Sequence, residues 1–369
     1  MTDRDYMLRA IELAKGGLGW TSPNPLVGAV IVKDGRIIGE GYHERCGELH
    51  AERNAIASLT ESAEGATLYV TLEPCCHYGK TPPCTEAILE QKIARVVIGS
   101  RDPNPLVSGK GAAILRAAGV RVEEDFMREE CDALNPVFFH YITKKTPYVV
   151  MKYAMTADGK IAARTGDSKW ITGESARKKV QELRHRYMGI MAGIGTVLAD
   201  DPMLNVRIPG LKSPVRIICD SGLRIPMDSK IVKTAKEYRT IVAYVGEHSG
   251  EGCKEAEEKE EQLHTAGVET VSVPDADGRV DLRKLMEYLG KQGIDSVLLE
   301  GGGTLNDAAL SAGIVNEICA FIAPKIFGGA GAKTPVSGIG VAHPAEAVML
   351  TLRQVETIGD DLMLRYSVD

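Results

Sequence analysis

The chain has 369 residues, of which 44% are hydrophobic and 25% charged, and a formal charge of −6 at pH 7. Those proportions exclude a disordered, collagen-like or disulfide-dense chain, and the length predicts two domains. The acidic balance argues against a broad nucleic-acid surface. No apolar run approaches the roughly 18–20 residues of a membrane span, and Asp3, Arg4, Asp5 and Arg9 leave no signal-peptide core, so the expected compartment is the cytoplasm.

In chain order, Met7, Ala10, Ile11 and Ala14 fall at i, i+3, i+4, i+7 and predict a helix over 5–15, stopped by Gly16-Gly17. Val27–Val32 and Arg36–Gly41 read as two strands joined by the hairpin signal Asp34-Gly35. A helix over 51–60, a strand over 67–72, a Pro-, Gly- and Cys-rich loop and a helix over 85–91 follow. A strand over 95–98, a helix over 111–118, a strand over 120–122 and helical residues 126–142 complete a small α/β domain with helices on both faces of one sheet. The polar Thr143-Lys-Lys-Thr-Pro147 marks the boundary, giving domains of 1–145 and 146–369. The second domain repeats the α/β alternation. Strands are predicted over 148–154, 189–193, 215–220, 240–245, 296–300 and 317–322, with helices over 174–187, 281–290 and 304–312. The Glu/Lys-rich 251–262 reads as a solvated helix face.

Eight cysteines without an export signal point to thiols and metal ligands rather than disulfides. Cys131, Cys219, Cys253 and Cys319 are scattered and read as packing thiols. The informative group is His50-Ala51-Glu52 followed by Cys75 and Cys84. A zinc deaminase needs one His and two Cys as ligands, an open position for water, and a nearby Glu that is not a ligand. His50 and Cys84 both fall at predicted helix starts, where the helix dipole favours a thiolate. Glu52 is the expected proton carrier. The usual spacing places two residues between the cysteines and here there are eight, so Cys76 and His77 are rival ligands. A closed structural zinc site and deamination of a base in nucleic acid are the alternative readings.

The stretch Thr71-Leu-Glu-Pro-Cys-Cys-His-Tyr-Gly-Lys-Thr-Pro-Pro-Cys84, with Asn24-Pro-Leu-Val-Gly28, Gly41-Tyr-His43 and Arg101-Asp-Pro-Asn-Pro105, closely resembles the deaminase half of the bifunctional riboflavin-biosynthesis deaminase/reductase family. Cys76 stands where that family most often has Ser. The resemblance implies a cytidine-deaminase-like three-layer fold, with substrate-binding roles for Asn24, His43, Lys80 and Asn104.

In the second half, Gly301-Gly302-Gly303 lies between an apolar strand and a helix, a place where backbone N–H groups cradle phosphate. Gly193-Ile-Gly195-Thr196 reads as a tight turn, and Lys152, Arg184 and Arg207 are candidate anion binders. Lys152-Tyr-Ala154, Asp158-Gly-Lys160, Ser168-Lys-Trp170-Ile-Thr172, Gly195–Pro202, Leu204-Asn-Val-Arg207 and Glu300–Gly303 resemble the reductase half of the same family. That half is similar in fold to dihydrofolate reductase and uses NADPH. The resemblance implies NADPH contacts at Ala154, Trp170, Thr196, Asp200 and Ser221. It implies more at Gly301, Gly302, Gly303, Thr304, Leu305, Asn306 and Asp307. It implies substrate contacts at Ser168, Arg184, Leu204, Arg207 and Glu300, the two arginines suiting a ribose phosphate. The expected partners are a phosphorylated pyrimidine and a second copy of the chain, with no nucleic acid and no membrane. The expected cofactors are Zn2+ and NADPH.

Overall fold

The computed structural model describes residues 1–78, 82–104, 107–246 and 253–369. The chain forms two compact units, Met1–Lys145 and Thr146–Asp369.

The first unit opens with α1 (Asp3–Ala14), started by a reciprocal capping box between Thr2 and Asp5. Its buried stripe is Tyr6, Met7, Ala10, Ile11 and Ala14. The sheet then takes β1 (Gly28–Lys33), β2 (Arg36–Tyr42), β3 (Thr67–Leu72), β4 (Arg95–Ser100) and β5 (Arg121–Glu123) in the order β2-β1-β3-β4-β5. The β1 strand runs antiparallel to both neighbours, whereas β3, β4 and β5 are parallel. Side chains alternate across the pleat. Ala29, Ile31, Leu68, Val70, Val96 and Ile98 face α2 (Ala51–Ala57), α3 (Cys84–Glu90) and α4 (Lys110–Ala117), while Val30, Val32, Tyr69 and Val97 face α1. A Cβ at Gly28 would overlap the Ala10 carbonyl, so glycine lets α1 lie directly on β1.

The helix predicted over 126–142 is broken into α5 (Arg128–Asp132) and α6 (Pro136–Lys144). Pro136 turns the residue before it away from helical backbone, and Asn135 sits at φ −124°, ψ 36°. Its buried amide instead bridges the main chain of Leu26, accepting from the N–H at 2.7 Å and donating to the carbonyl at 2.8 Å.

The second unit contains β6 (Tyr148–Thr156), α7 (Glu174–Arg186), β7 (Gly189–Gly193), α8 (Ile194–Asp200), β8 (Val215–Cys219), α9 (Lys230–Lys233) and β9 (Thr240–Tyr244). It continues with α10 (Cys253–Thr265), β10 (Val268–Ser272), α11 (Leu282–Lys291), β11 (Ser296–Leu299), α12 (Gly303–Ser311), β12 (Val315–Ala323), β13 (Leu350–Ile358) and β14 (Asp361–Val368). Among the described residues these strands form one sheet, ordered β10-β9-β8-β7-β11-β6-β12-β14-β13. It is parallel from β10 to β12, and β14 and β13 add antiparallel. One face packs on α11 through Leu282, Leu285, Met286 and Leu289. The other packs on α8, α9 and α10 through Ile194, Val197, Ile231, Val232 and Leu263.

Three features depart from the sequence reading. The turn expected at Gly193–Thr196 continues into α8. The strand β10 lies at the sheet edge with only β9 beside it. The hairpin β13–β14 is a further element, and in β13 a bulge between Leu352 and Gln354 puts the two-residue alternation out of phase.

Candidate active sites

In the first unit, three elements converge at the end of β3. His50 precedes α2 in extended backbone, φ −74° and ψ 163°. Cys75 follows β3 after Pro74, and Cys84 is the first residue of α3, after Pro83. Arg53 donates to the carbonyls of Pro82 (3.2 Å) and Pro83 (3.0 Å), tying the start of α3 to α2. Thr85 N–H donates to the Cys75 carbonyl at 3.2 Å, and Cys84 N–H to the Cys75 Sγ at 3.3 Å. His50 Nδ1 lies 3.5 Å from both thiol sulfurs, and the ligating atoms of His50, Cys75 and Cys84 all fall within 4.8 Å of one another. Cys76 and His77 are not members of that cluster. The Cys75 thiol is pulled down to about 4, first by the hydrogen bond from the Cys84 thiol, against the opposing effect of burial, and then by His50 and the Cys84 N–H. Cys84, as the donor, is pushed up.

Glu52 is 3% exposed and interacts with the Cys84 thiol; burial pushes its carboxyl up, and the Cys75 charge adds to that. His43 is also buried. Its Nδ1 donates to the Leu49 carbonyl at 2.9 Å and its Nε2 accepts from Asn24 Nδ2 at 3.1 Å, which fixes a neutral tautomer. Its ring stands edge-on to His50, with centroids 5.4 Å apart. So Asn24 and His43 form one pair beside the cysteine cluster. Asn104 sits in the loop after β4, where its N–H donates to Asp102 Oδ1 at 2.8 Å. Burial pushes the Asp102 carboxyl up to about 6, with Glu73 and Cys75 contributing charge. Lys80 lies outside the described residues.

Glu73 stands beside Cys75 in the sequence signal, but its role could not be read there. It is buried and accepts the N–H groups of Gly109 (2.9 Å) and Ala112 (3.2 Å) at the start of α4. The available signal was the pairing of a strand-ending Glu-Pro with Gly109-Lys-Gly111 ahead of a helix.

In the second unit the candidate residues collect at the carboxyl ends of neighbouring parallel strands, the place where open α/β sheets bind ligands. Ala154 lies in the last part of β6, Thr196 follows β7, Ser221 follows β8, and Glu300 and Gly301–Gly303 follow β11. Arg184 grips Glu300 with both arms, Nε to Oε1 at 2.7 Å and an Nη to Oε2 at 3.1 Å, and Lys152 Nζ lies 3.7 Å from Oε2. Burial raises the Glu300 carboxyl, but Arg184 and Lys152 outweigh it and hold it at about 2. Of the two arginines expected to suit a ribose phosphate, Arg184 has its fork engaged by Glu300 and Arg207 is exposed. The Leu204 side chain is 3% exposed and packs in the core.

The three glycines are not equivalent. A Cβ on Gly301 would meet Asn306 Oδ1 at 2.7 Å, and one on Gly303 would meet Ser337 Oγ at 2.6 Å and the Thr334 carbonyl at 2.8 Å, whereas one on Gly302 meets nothing within 4 Å. Gly302 is the N-cap of α12, and no side chain caps that helix. Asn306 is fully buried, its Nδ2 donating to the Pro335 carbonyl at 2.8 Å. Thr304 is exposed, Leu305 packs on the core, and Asp307 lies against Gly338. Trp170 is 61% exposed with the Arg177 guanidinium 4.6 Å over its ring. Asp200 lies 3.7 Å from Lys169, and Ser168 is half-buried.

Residues 147–364 match the sequence family described as the RibD C-terminal domain, and residues 1–100 match the cytidine and deoxycytidylate deaminase zinc-binding region. The riboflavin biosynthesis protein RibD of Actinobacillus pleuropneumoniae is 58% identical, covering 100% of this chain and 96% of its own. That of Escherichia coli K12 is 40% identical, covering 99% of each. The chain belongs to the RibD family.

Solved structures agree with this membership. Acinetobacter baumannii RibD superimposes with a TM-score of 0.87 at 38% identity, covering 100% of this chain and 99% of that one. The Thermotoga maritima diaminohydroxyphosphoribosylaminopyrimidine deaminase/5-amino-6-(5-phosphoribosylamino)uracil reductase superimposes at 0.86 with 39% identity, covering 100% and 99%. The RibD-family chain is therefore a bifunctional deaminase and reductase of riboflavin biosynthesis, with a cytidine-deaminase-like first domain and a reductase second domain. Its cofactors are zinc and NADPH.

Both cofactors fit the residues present. With metal–ligand bonds of about 2.3 Å to sulfur and 2.0–2.1 Å to nitrogen, a tetrahedral zinc site has N···S edges of about 3.6 Å, against the 3.5 Å between His50 Nδ1 and each sulfur. The uncapped start of α12, with open space over Gly302, suits a cofactor phosphate. Among the described residues no helix is long and apolar enough to cross a membrane.

Proposed function

We propose that residues 1–145 deaminate 2,5-diamino-6-(5-phosphoribosylamino)pyrimidin-4-one and that residues 146–369 reduce the ribosyl side chain of the product to ribityl. The observation that carries this reading is the His50–Cys75–Cys84 cluster with buried Glu52 beside it. A structural zinc site has no use for that acid.

Zinc supplies a Lewis acid that makes water nucleophilic near neutral pH, and NADPH supplies hydride. His50, Cys75 and Cys84 hold the metal. Glu52 would take one proton from the attacking water to the ring nitrogen and then carry the remaining hydroxyl proton to the departing amine, so the C2 amino group leaves as ammonia and C2 becomes a carbonyl. Burial around Glu52 keeps competing bulk water from that proton path. The Asn24–His43 pair, Lys80 and Asn104 bind the substrate. In the second reaction the opened ribosyl chain accepts hydride at C1′ and a proton at the attached nitrogen. Ser168, Arg184, Leu204, Arg207 and Glu300 position the substrate, with Arg207 toward the phosphate. Ala154, Trp170, Thr196, Asp200, Ser221 and Gly301–Asp307 hold the cofactor.

The chain works in the cytoplasm as a homo-oligomer and acts on free nucleotide-like substrate rather than nucleic acid. Support for self-association comes from the apolar residues exposed along the C-terminal hairpin and the segment before it, among them Ile339, Met349, Leu352 and Val355. The formal charge of −6 supports a free substrate. Incubation with the phosphorylated pyrimidine and NADPH should release one ammonia and oxidise one NADPH per substrate. Ammonia release from RNA but not from the free pyrimidine would overturn the reading.

A further inference from the structure

The loop Asp201–Arg207 has strained backbone. Asp201 and Leu204 are non-glycine residues at φ +40° and +49°, a conformation that persists only where its surroundings over-determine it. Groups from outside the loop do so. Lys230 N–H donates to Asp201 Oδ1 at 2.8 Å, Arg184 to the Asn205 carbonyl at 3.1 Å, and Arg207 N–H to Gln181 Oε1 at 2.9 Å. The middle of the loop is held from below, where an Nη of Arg216 donates to the Met203 carbonyl at 3.3 Å.

Arg216 lies on β8, is 0% exposed, and heads the fully buried side chains by size. Among the described residues no carboxylate pairs with it. Its other donors go to Thr240 Oγ1 (3.0 and 2.7 Å), Thr234 Oγ1 (2.8 Å), and the carbonyls of Ile231 (2.8 Å) and Tyr238 (3.1 Å). Burying a charge without a counter-ion is unfavourable, and an apolar residue of similar volume often serves stability as well or better. What an apolar residue cannot do is join three separate segments: the Met203 loop, α9 and the turn into β9. The planar five-donor fork does.

We propose that Arg216 is a positioning residue for the reductase reaction. It holds the Asp201–Arg207 loop in the strained form that presents the Leu204 backbone and the Arg207 guanidinium to the phosphorylated sugar chain. It touches neither substrate nor cofactor. This rests on the reading, given above, that the loop lines the reductase site.

The test is Arg216→Lys in the full chain, since an ammonium on a flexible stem cannot span all three segments. The KM for the deaminated intermediate should rise about tenfold with kcat within about twofold, the pattern of lost substrate binding. Deaminase kinetics should stay unchanged, and amides 203–207 should lose protection from hydrogen exchange while 240–244 keep theirs. Thr240→Val removes Arg216 partners on the side away from the loop and is the structural control; its KM should match wild type. An equal rise in Thr240→Val would reduce Arg216 to a stability element and overturn the proposal, as would unchanged KM and exchange in Arg216→Lys. Should Arg216→Lys not fold, Thr234→Val loosens the Nη nitrogen shared with Met203 and should raise KM about threefold; no rise there overturns it. Arg207→Ala separates the two readings. If Arg207→Ala raises KM and the Arg216 variant does not, only the positioning role is lost. If Arg207→Ala leaves KM unchanged, the substrate loop itself is misassigned and the proposal falls with it.

Discussion

The deaminase site is assembled from His50, Glu52, Cys75 and Cys84, four reactive side chains within one stretch of the first unit. The proposed reductase site draws on residues from Ala154 to Asp307, several of them offering backbone or empty space rather than a functional group. A metal must be met by specific donor atoms, so its site is written in residue identity. A dinucleotide and a sugar phosphate are met largely by shape, helix ends and strand ends, so their site is written in topology. Mutations should follow the same division. Changes in the first site should remove chemistry and leave the fold, and most changes in the second should disturb packing or binding.

The largest effect is expected at Glu52. Glu52→Gln keeps shape and metal ligands but removes the proton carrier, and deamination should fall by about 10²–10⁴-fold. Zinc content and the reduction of supplied deaminated intermediate should match wild type. Ammonia release at the wild-type rate from zinc-loaded Glu52→Gln would dissolve the contrast between the two sites.

At Glu300 the second site behaves as packing does. Glu300→Gln strands the buried Arg184 and Lys152 charges. The Glu300 carboxyl is held at about 2, some two and a half units below an unperturbed Glu, which corresponds to about 3 kcal/mol. A depressed carboxyl contributes stability that is full above its unfolded pKa and lost as pH falls through the folded value. Urea unfolding should therefore show the variant less stable by about 3 kcal/mol at pH 7, with the gap closing between roughly pH 4.5 and 2. A gap that stays constant across that range would mean the ion pair contributes nothing.

How much of this was legible beforehand follows the same line. The strand Thr67–Leu72 and the cluster at His50, Cys75 and Cys84 could be read directly, because a short apolar run and ligand identity are local signals. At Asn135 the stop itself is local, set by Pro136, but the amide bridge to Leu26 that anchors it was not legible, since Leu26 lies more than a hundred residues away. The ion pair of Arg184 with Glu300 was not legible, because the two lie 116 positions apart along the chain. Leu204 was named for its motif, and only the folded core shows where its side chain goes. The glycines 301–303 were seen as one loop, although they divide into two that are packed and one that is open.

That division sharpens the comparison inside the second site. Gly303→Val drives side-chain atoms into Ser337 and the Thr334 carbonyl, and overpacking of this kind costs about 1–3 kcal/mol. Gly302→Val points into open space and should leave stability near wild type while obstructing cofactor phosphate. Thermal unfolding should rank Gly303→Val well below Gly302→Val, yet both should lose NADPH oxidation while releasing ammonia normally. Undiminished NADPH oxidation in Gly302→Val would remove the glycine loop from the cofactor site.

The smallest effect is expected at Cys76, and it tests whether residue identity alone explains the first site. Cys76 neighbours a ligand in sequence but falls outside the group whose donor atoms lie within 4.8 Å of one another. Cys76→Ser should therefore purify with wild-type zinc and deaminate at a rate within about twofold of wild type, since surface-side changes away from the metal alter little. Cys84→Ser should lose zinc, because a hydroxyl replaces a thiolate at a site built from soft donors. Metal analysis of the two variants side by side decides it: zinc lost from Cys76→Ser and kept by Cys84→Ser would transfer the ligand role along the loop.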